Sequence, residues 1–318
     1  MLTNRENIVD RLRENDPGLI KLDLSSALRD VEYADLQAAM AANHTVEKVV
    51  ADFQWLEETF SVAESSQLLA TVGRMTSLDK VMIFDHGRSG IPMKALASAL
   101  SPNIKSFDVV RLEFSSMEDV NVFAAAIGEH KSLERFSSHR LTLSEGVTLD
   151  PLFDKFGMLK TVIAVCLSFD WDLRAAYVQE PRALVNLCLS ESLQELKLWS
   201  RQLDDSCCVA IAKALCVNTT LKTLDLQCQV IGNEGLEEIT AMMEQNYTIE
   251  NVKTTKRRMS LANKIEMYAR LNKVGRCLLL NANASKAEWV DKLIEAKEDH
   301  DAVFYFIRSN PLLMELEC

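Results

Sequence analysis

A repeat in the last third of the chain sets the strongest limit on its fold. LQELKLWSRQLDDSCCVAIAKALCVNTT begins at Leu193, LKTLDLQCQVIGNEGLEEITAMMEQNYT begins at Leu221, and a third copy opens with IENVKT at Ile249, so both intervals are 28 residues. A period of this length marks a supersecondary unit that buries its apolar face only by stacking on copies of itself. Each unit opens with the Leu-x-x-Leu-x-Leu pattern or a variant of it, an alternation that reads as a short strand with one buried face. A turn follows, then apolar residues at helical spacing such as Val209, Ile211, Ala212 and Leu215, and the unit closes on Asn-x-Thr.

Degenerate copies open at Leu19, Val46, Leu78, Ile104, Leu133 and Leu159, which makes about nine units over residues 19–254. At Ile104 the strand fits either Phe107/Val109 or Leu112/Phe114. Strand, crossover and parallel strand in one sheet close with a right-handed connection, so the expected fold class is an α/β solenoid with a single parallel sheet. Its open ends need covers. Residues 1–18 are read as an N-terminal capping helix with Ile8, Val9 and Leu12 on its apolar side. Residues 255–318 lose the period and are read as a helical C-terminal cap, carried by Ile265, Met267, Tyr268 and Leu271, then Trp289, Val290, Leu293 and Ile294, then Val303, Phe304, Phe306 and Ile307.

The pattern resembles the ribonuclease-inhibitor-like class of leucine-rich repeats over roughly residues 15–254. The resemblance implies a right-handed horseshoe with a parallel sheet on its concave face, helices outside, and partners held on the concave face and its rims. One departure is clear: the asparagine that the family often carries after the strand is not regular here, where Ser200 and Cys228 stand near that place. LNKVGRCLLLNA, Trp289 and YFIRSNPLLMELEC are similar to a tail of leucine-rich-repeat proteins of unicellular eukaryotes, which implies a cap and no activity.

Charge narrows the partners. With Lys+Arg 35 against Asp+Glu 46, a net −11, the summed field repels phosphate backbones and anionic lipid surfaces, which argues against nucleic acid. Lys253, Lys256, Arg257 and Arg258 form the one basic cluster, read as a solvated junction. The opening MLTNRENIVDRLREND is charged and helix-patterned where a secretory signal needs an apolar run, and no stretch has the composition of a membrane span, so an intracellular, cytoplasmic protein without membrane insertion is expected. The eight cysteines have no zinc or disulfide spacing and read as reduced core thiols. Three of the four Asn-x-Ser/Thr sites, at Asn43, Asn218 and Asn246, fall at the same point of the repeat, which favours a turn role over glycosylation.

The residues beside and between the last two apolar positions of each strand are expected on the concave face. Two apolar groups emerge there: Val50, Met82, Phe84 and Val110, and farther on Ile163, Val165 and Trp199. Lys21, Lys48, Lys80, Lys197 and Asp225 share the face. Exposed apolar patches with aromatic members are the usual anchors of interfaces. Two long units imply insertions, read at DHGRSGIP, which contains Arg88, and at SFDWDLRAAYVQEP, whose Phe169, Trp171 and Tyr177 either reach a partner or fold back over the sheet. Arg88 between two glycines also invites comparison with edge-loop arginines that stimulate GTPases in some proteins of this repeat class.

No phosphate-cradling glycine loop, nucleophile elbow, paired carboxylates or metal spacing is legible, and the five histidines are scattered. The expectation is a non-catalytic recognition or adaptor module that takes another protein on its concave face and edge loops and needs no cofactor. The alternatives are a permanent subunit of a larger assembly, a homo-oligomer included, or a GTPase-activating regulator.

Overall fold

In the computed structural model, residues 7–310 are described except 26–30, 86–90, 101, 171–180, 201–202, 228–230, 255–258 and 282. Among the described residues there are ten strands: β1 (Lys21–Leu24), β2 (Lys48–Asp52), β3 (Lys80–Phe84), β4 (Ser106–Val110), β5 (Glu113–Phe114), β6 (Arg135–Leu143), β7 (Ala164–Phe169), β8 (Glu195–Trp199), β9 (Thr223–Leu226) and β10 (Asn251–Thr254). They pair in the order β1-β2-β3-β4-β6-β7-β8-β9-β10, every pair is parallel, and the short β5 pairs with the far end of β6. The chain is thus an α/β leucine-rich-repeat solenoid in which each repeat adds one strand beside the last.

Helix α1 (Asn7–Arg13) precedes the first strand; α2 (Tyr33–Ala42), α3 (Phe53–Thr59), α4 (Val62–Val72), α5 (Met93–Ser98), α6 (Met117–Gly128), α7 (Asp150–Met158), α8 (Pro181–Cys188), α9 (Asp205–Leu215) and α10 (Asn233–Gln245) lie between strands; and α11 (Met259–Lys273) follows the last. Apart from α3, they contact one another in chain order, on the opposite side of the core from the open sheet face. Packed helices stand about 8–10 Å apart and paired strands about 4.8 Å, so the sheet side follows the shorter, concave arc. Side-chain caps help set the starts: Asp204 accepts from the Cys207 amide at 2.9 Å, and Ser61 and Glu64 form a capping box at α4. Gly73 lets α4 end against the next coil, since a Cβ there would lie 1.9 Å from the Ser98 carbonyl oxygen.

Three details correct the sequence reading. The extra length of the Val46 unit is α3, which begins directly after β2, whereas DHGRSGIP belongs to the following unit. At Ile104 both alternatives are used: Phe107 and Val109 fill the main register, then Arg111 turns through φ 67 and Phe114 joins the second short ladder. The next repeat copies that bend at Arg140, φ 58. The unit placed at Leu159 opens instead at Val162, with Val165 and Leu167 as its buried strand positions.

The asparagines of the Asn-x-Thr turns are buried and bridge successive coils. Asn246 donates to the carbonyls of Leu215 at 2.7 Å and Asn218 at 3.0 Å, and accepts from the amides of Thr248 at 2.8 Å and Ile249 at 2.9 Å. Asn218 repeats this toward Cys188 and Leu221, and Asn43 toward Leu12 and Val46. At the same place in the Leu133 unit, His130 Nδ1 accepts from the Leu133 amide at 3.1 Å. The ladder therefore lies before the strand, and side chains so engaged are closed to glycosylation.

Beyond the sheet, a 3-10 turn (Arg276–Leu280), α12 (Lys286–Glu295) and α13 (His300–Ser309) enclose a second small core of Leu271, Trp289, Ala296, Ala302 and Phe306. Arg276 joins it to the last repeat. Fully buried, it donates to the carbonyls of Met243, at 2.7 Å, and Asn246, with its guanidinium 4.3 Å from the Tyr247 ring centre and 4.7 Å from that of Tyr268. A cation at the C-terminal end of α10 also complements the helix dipole.

Candidate functional site: the open face of the sheet

Register fixes which side chains share this face. Its first row runs Lys21, Lys48, Lys80, Ser106, Arg135, Ala164, Glu195, Thr223; its second runs Asp23, Val50, Met82, Asp108, Ser137, Cys166, Lys197, Asp225. A third holds Phe84, Val110, His139, Ser168 and Trp199. The structure thus brings Val50, Met82, Phe84, Val110, Lys197 and Trp199 to one surface, and Asp225 shares their side of the sheet but is buried, 1% exposed.

It does not bring the other apolar members there. Val165 is fully buried in the solenoid core, because the strand starts later than Leu159 suggested and the parity of its side chains reverses. Ile163 precedes β7, half-buried, and binds neighbouring coils through its backbone. Phe169 is no loop residue: it ends β7, pairs with Leu141 and is 6% exposed. Ala164, Cys166 and Ser168 occupy the face instead, and Val162-x-x-Val165-x-Leu167, a valine-for-leucine version of the opening pattern, was the signal for them. Arg88, Trp171 and Tyr177 lie outside the described residues.

The two halves of the face differ. In the β2–β4 half, Val50 adjoins Met82, Phe84 adjoins Val110, and Met82 and Phe84 sit two residues apart on one strand, so the four half-buried side chains form one continuous patch. The β6–β10 half is a charge network. Arg135 reaches Glu195 at 3.2 Å across the small Ala164, Lys197 also pairs with Glu195, and Lys253 stands 3.9 Å from Asp225. These contacts hold Glu195 below the usual carboxylate range although its partial burial opposes them, and the Glu195 bond raises Lys197. Asp225 goes the other way: burial pushes its carboxyl up, against the Trp199 indole N–H, Lys253, Lys197 and Gln227.

Trp199 is 37% exposed and stands over this network. Cys166 faces the same side, and burial pushes its thiol up to about 11, far from the range of a reactive nucleophile. Ser137 Oγ lies 3.3 Å from His139 Nε2 on the same strand, with no carboxylate hydrogen-bonded to the pair among the described residues. No cluster of three or more His, Cys, Asp or Glu among the described residues is placed to hold a metal ion. No helix among them is long and apolar enough to cross a membrane.

No known family profile matches the sequence, and no curated protein does. Solved structures with similar folds include Rad7 from the Rad7–Elc1 complex of yeast, at 12% identity over 76% of this chain and 72% of that one, TM-score 0.39. Leiomodin-1 actin-binding site 2 aligns at 10% identity over 85% of this chain and 90% of that one, TM-score 0.22. The tropomodulin C-terminal domain of Caenorhabditis elegans aligns at 12% over 89% and 100%, TM-score 0.20. These superpositions are too loose to carry a partner across, and the fold stands on its parallel register and its repeated strand pattern.

Proposed function

We propose that the chain is a non-catalytic protein-recognition module of the ribonuclease-inhibitor-like repeat type, working in the cytoplasm and holding another protein on the open sheet face. The observation that carries this reading is the continuous patch of Val50, Met82, Phe84 and Val110 on a sheet face that turns its other side to the core. Half-exposed apolar and aromatic side chains on a rigid sheet bind at little conformational cost. Lys197 and Trp199 would extend the contact. The test is affinity capture from the native source followed by cross-linking, with the Phe84→Ala, Trp199→Ala double variant beside the parent. Loss of capture at unchanged thermal stability, with cross-links to Lys21, Lys48, Lys80 and Lys197, supports the reading; cross-links confined to the helical side overturn it.

A second reading, a permanent subunit, is favoured by Leu280, Ile294 and Phe304 in the C-terminal segment, which are 65%, 58% and 65% exposed. Size-exclusion chromatography of the isolated chain separates the two: a fixed oligomer supports the subunit and a monomer the module.

A further inference from the structure

Lys21, Lys48 and Lys80 stand side by side on β1, β2 and β3 in exact lateral register. Like charges on adjacent strands are unfavourable unless neutralised. Lys21 has Asp23 at 3.3 Å and Lys80 has Asp108 at 2.6 Å. Lys48, between them, forms no ion pair with a described carboxylate, and the nearby Asp52 uses its carboxylate to cap α3 through the Trp55 amide at 3.3 Å. Two residues along β2 the apolar patch begins at Val50. In the other half of the face both carboxylates, Glu195 and Asp225, already have cations beside them. The lysine without an ion pair to a described carboxylate and the half-buried apolar patch therefore adjoin.

We propose, resting on the recognition reading above, that the β1–β4 half of the face receives a partner-protein segment carrying a carboxylate one strand step from an apolar side chain, about 7 Å apart. The carboxylate pairs with Lys48 and the apolar group lies on Val50, Met82 and Phe84. The chain is −11 overall, but this half of the face carries Lys21, Lys48 and Lys80 against Asp23, Asp52 and Asp108, and with Asp23 and Asp108 on the outer lysines and Asp52 on the Trp55 amide, Lys48 is the cation left to pair. A basic segment would meet Lys48 beside the patch.

The test uses the whole chain with carbon-13 methyl-labelled methionine, the Met82 signal being assigned through Met82→Leu. The probes are peptides of equal length built on a Leu-Ser-Glu-Ser repeat, which places Leu and Glu on one face of an extended segment, with the corresponding Leu–Gln, Ser–Glu and Leu–Lys versions. The Leu–Glu peptide should shift the Met82 methyl and the other three should bind markedly more weakly. Lys48→Gln should weaken Leu–Glu binding about fivefold, the scale of one exposed ion pair, and a Lys213→Gln control should not. A Leu–Gln peptide that binds as well as Leu–Glu, or a Met82 signal that Leu–Glu leaves unmoved, overturns the proposal. Cross-links of a captured partner to the sheet lysines would in either case leave the recognition reading standing.

Discussion

The indole of Trp199 donates its N–H to the carboxylate of Asp225 on the neighbouring strand. Asp225 is only 1% exposed although its strand position belongs to the open face. Burial is the largest influence on Asp225 and raises its pKa above the ordinary 3.8, with Trp199, Lys253, Lys197 and Gln227 opposing. For an acid raised on folding, the fold prefers the protonated form. That contribution to stability is complete below the unfolded value and is lost as pH rises through the folded one. Asp225→Asn, a permanently neutral replacement, should therefore melt above the parent near neutral pH, and the gap should close as pH falls toward about 4. Thermal melts across that range check it. An Asn variant that melts lower near neutrality would mean that Lys197 and Lys253 hold the carboxylate more firmly than burial resists it.

Asn246 makes five hydrogen bonds through one buried side-chain amide, joining the Leu215 and Asn218 carbonyls of the preceding coil to the Thr248 amide and hydroxyl and the Ile249 amide before β10. Alanine would take these partners from the Leu215 carbonyl and the Thr248 and Ile249 amides, while the Asn218 carbonyl keeps the Thr248 hydroxyl, and each buried unsatisfied group costs about 1–3 kcal/mol. Some water entry is available at the half-buried Thr248, so a net loss of about 3 kcal/mol is expected for Asn246→Ala, read as a lower urea midpoint at unchanged slope. Asn283→Ala, at the one Asn-x-Ser/Thr site outside the repeat turns, should change the midpoint little.

Ser138 occupies a core position that Val109 and Leu167 hold on the strands to either side. It is fully buried and its hydroxyl has no hydrogen-bond partner. Ser138→Val removes an unsatisfied polar group and adds apolar volume, so it should stabilise the chain by about 1 kcal/mol. A melting temperature at or below that of the parent would show the site too tight for the added methyl groups.

How much of this was legible beforehand follows the regularity of the repeat. Where Leu193, Leu196, Leu198 and Leu221, Leu224, Leu226 spell out the pattern, strand, face and neighbour were readable from spacing alone. In the middle units the core is built from rings, with Phe136 5.1 Å from Phe156 and 5.7 Å from Phe123, and Ser138 interrupts the apolar ladder. There the period blurred. A shift from Leu159 to Val162 is an odd number of residues, and in a strand an odd shift exchanges the two faces, which is why Val165 changed sides. The candidate patch of Val50, Met82, Phe84 and Val110 survived because its strands kept their register. The Trp199–Asp225 bond was not readable, since neighbouring-coil contacts depend on side-chain direction rather than on spacing.

Arg276 is buried like Asp225, and no described carboxylate forms an ion pair with it. Burial lowers its pKa, and its charge is held by two backbone carbonyls at the end of α10 and by the faces of Tyr247 and Tyr268, with Tyr305 close by. Lysine keeps the charge but loses the planar surface that stacks between two rings, so Arg276→Lys is not conservative here. Hydrogen bonds from a charged group contribute about 1.5–3 kcal/mol, and a loss of that size is expected. Its location matters more than its size. In a solenoid each unit leans mainly on its neighbours, so hydrogen exchange in α11, α12 and α13 should accelerate while strands β1 to β4 keep their protection. Arg276→Met separates charge from packing: it fills the slot without the two carbonyl bonds, so a methionine variant as well protected as the parent would show that shape, and not the cation, holds the C-terminal helices to the last repeat.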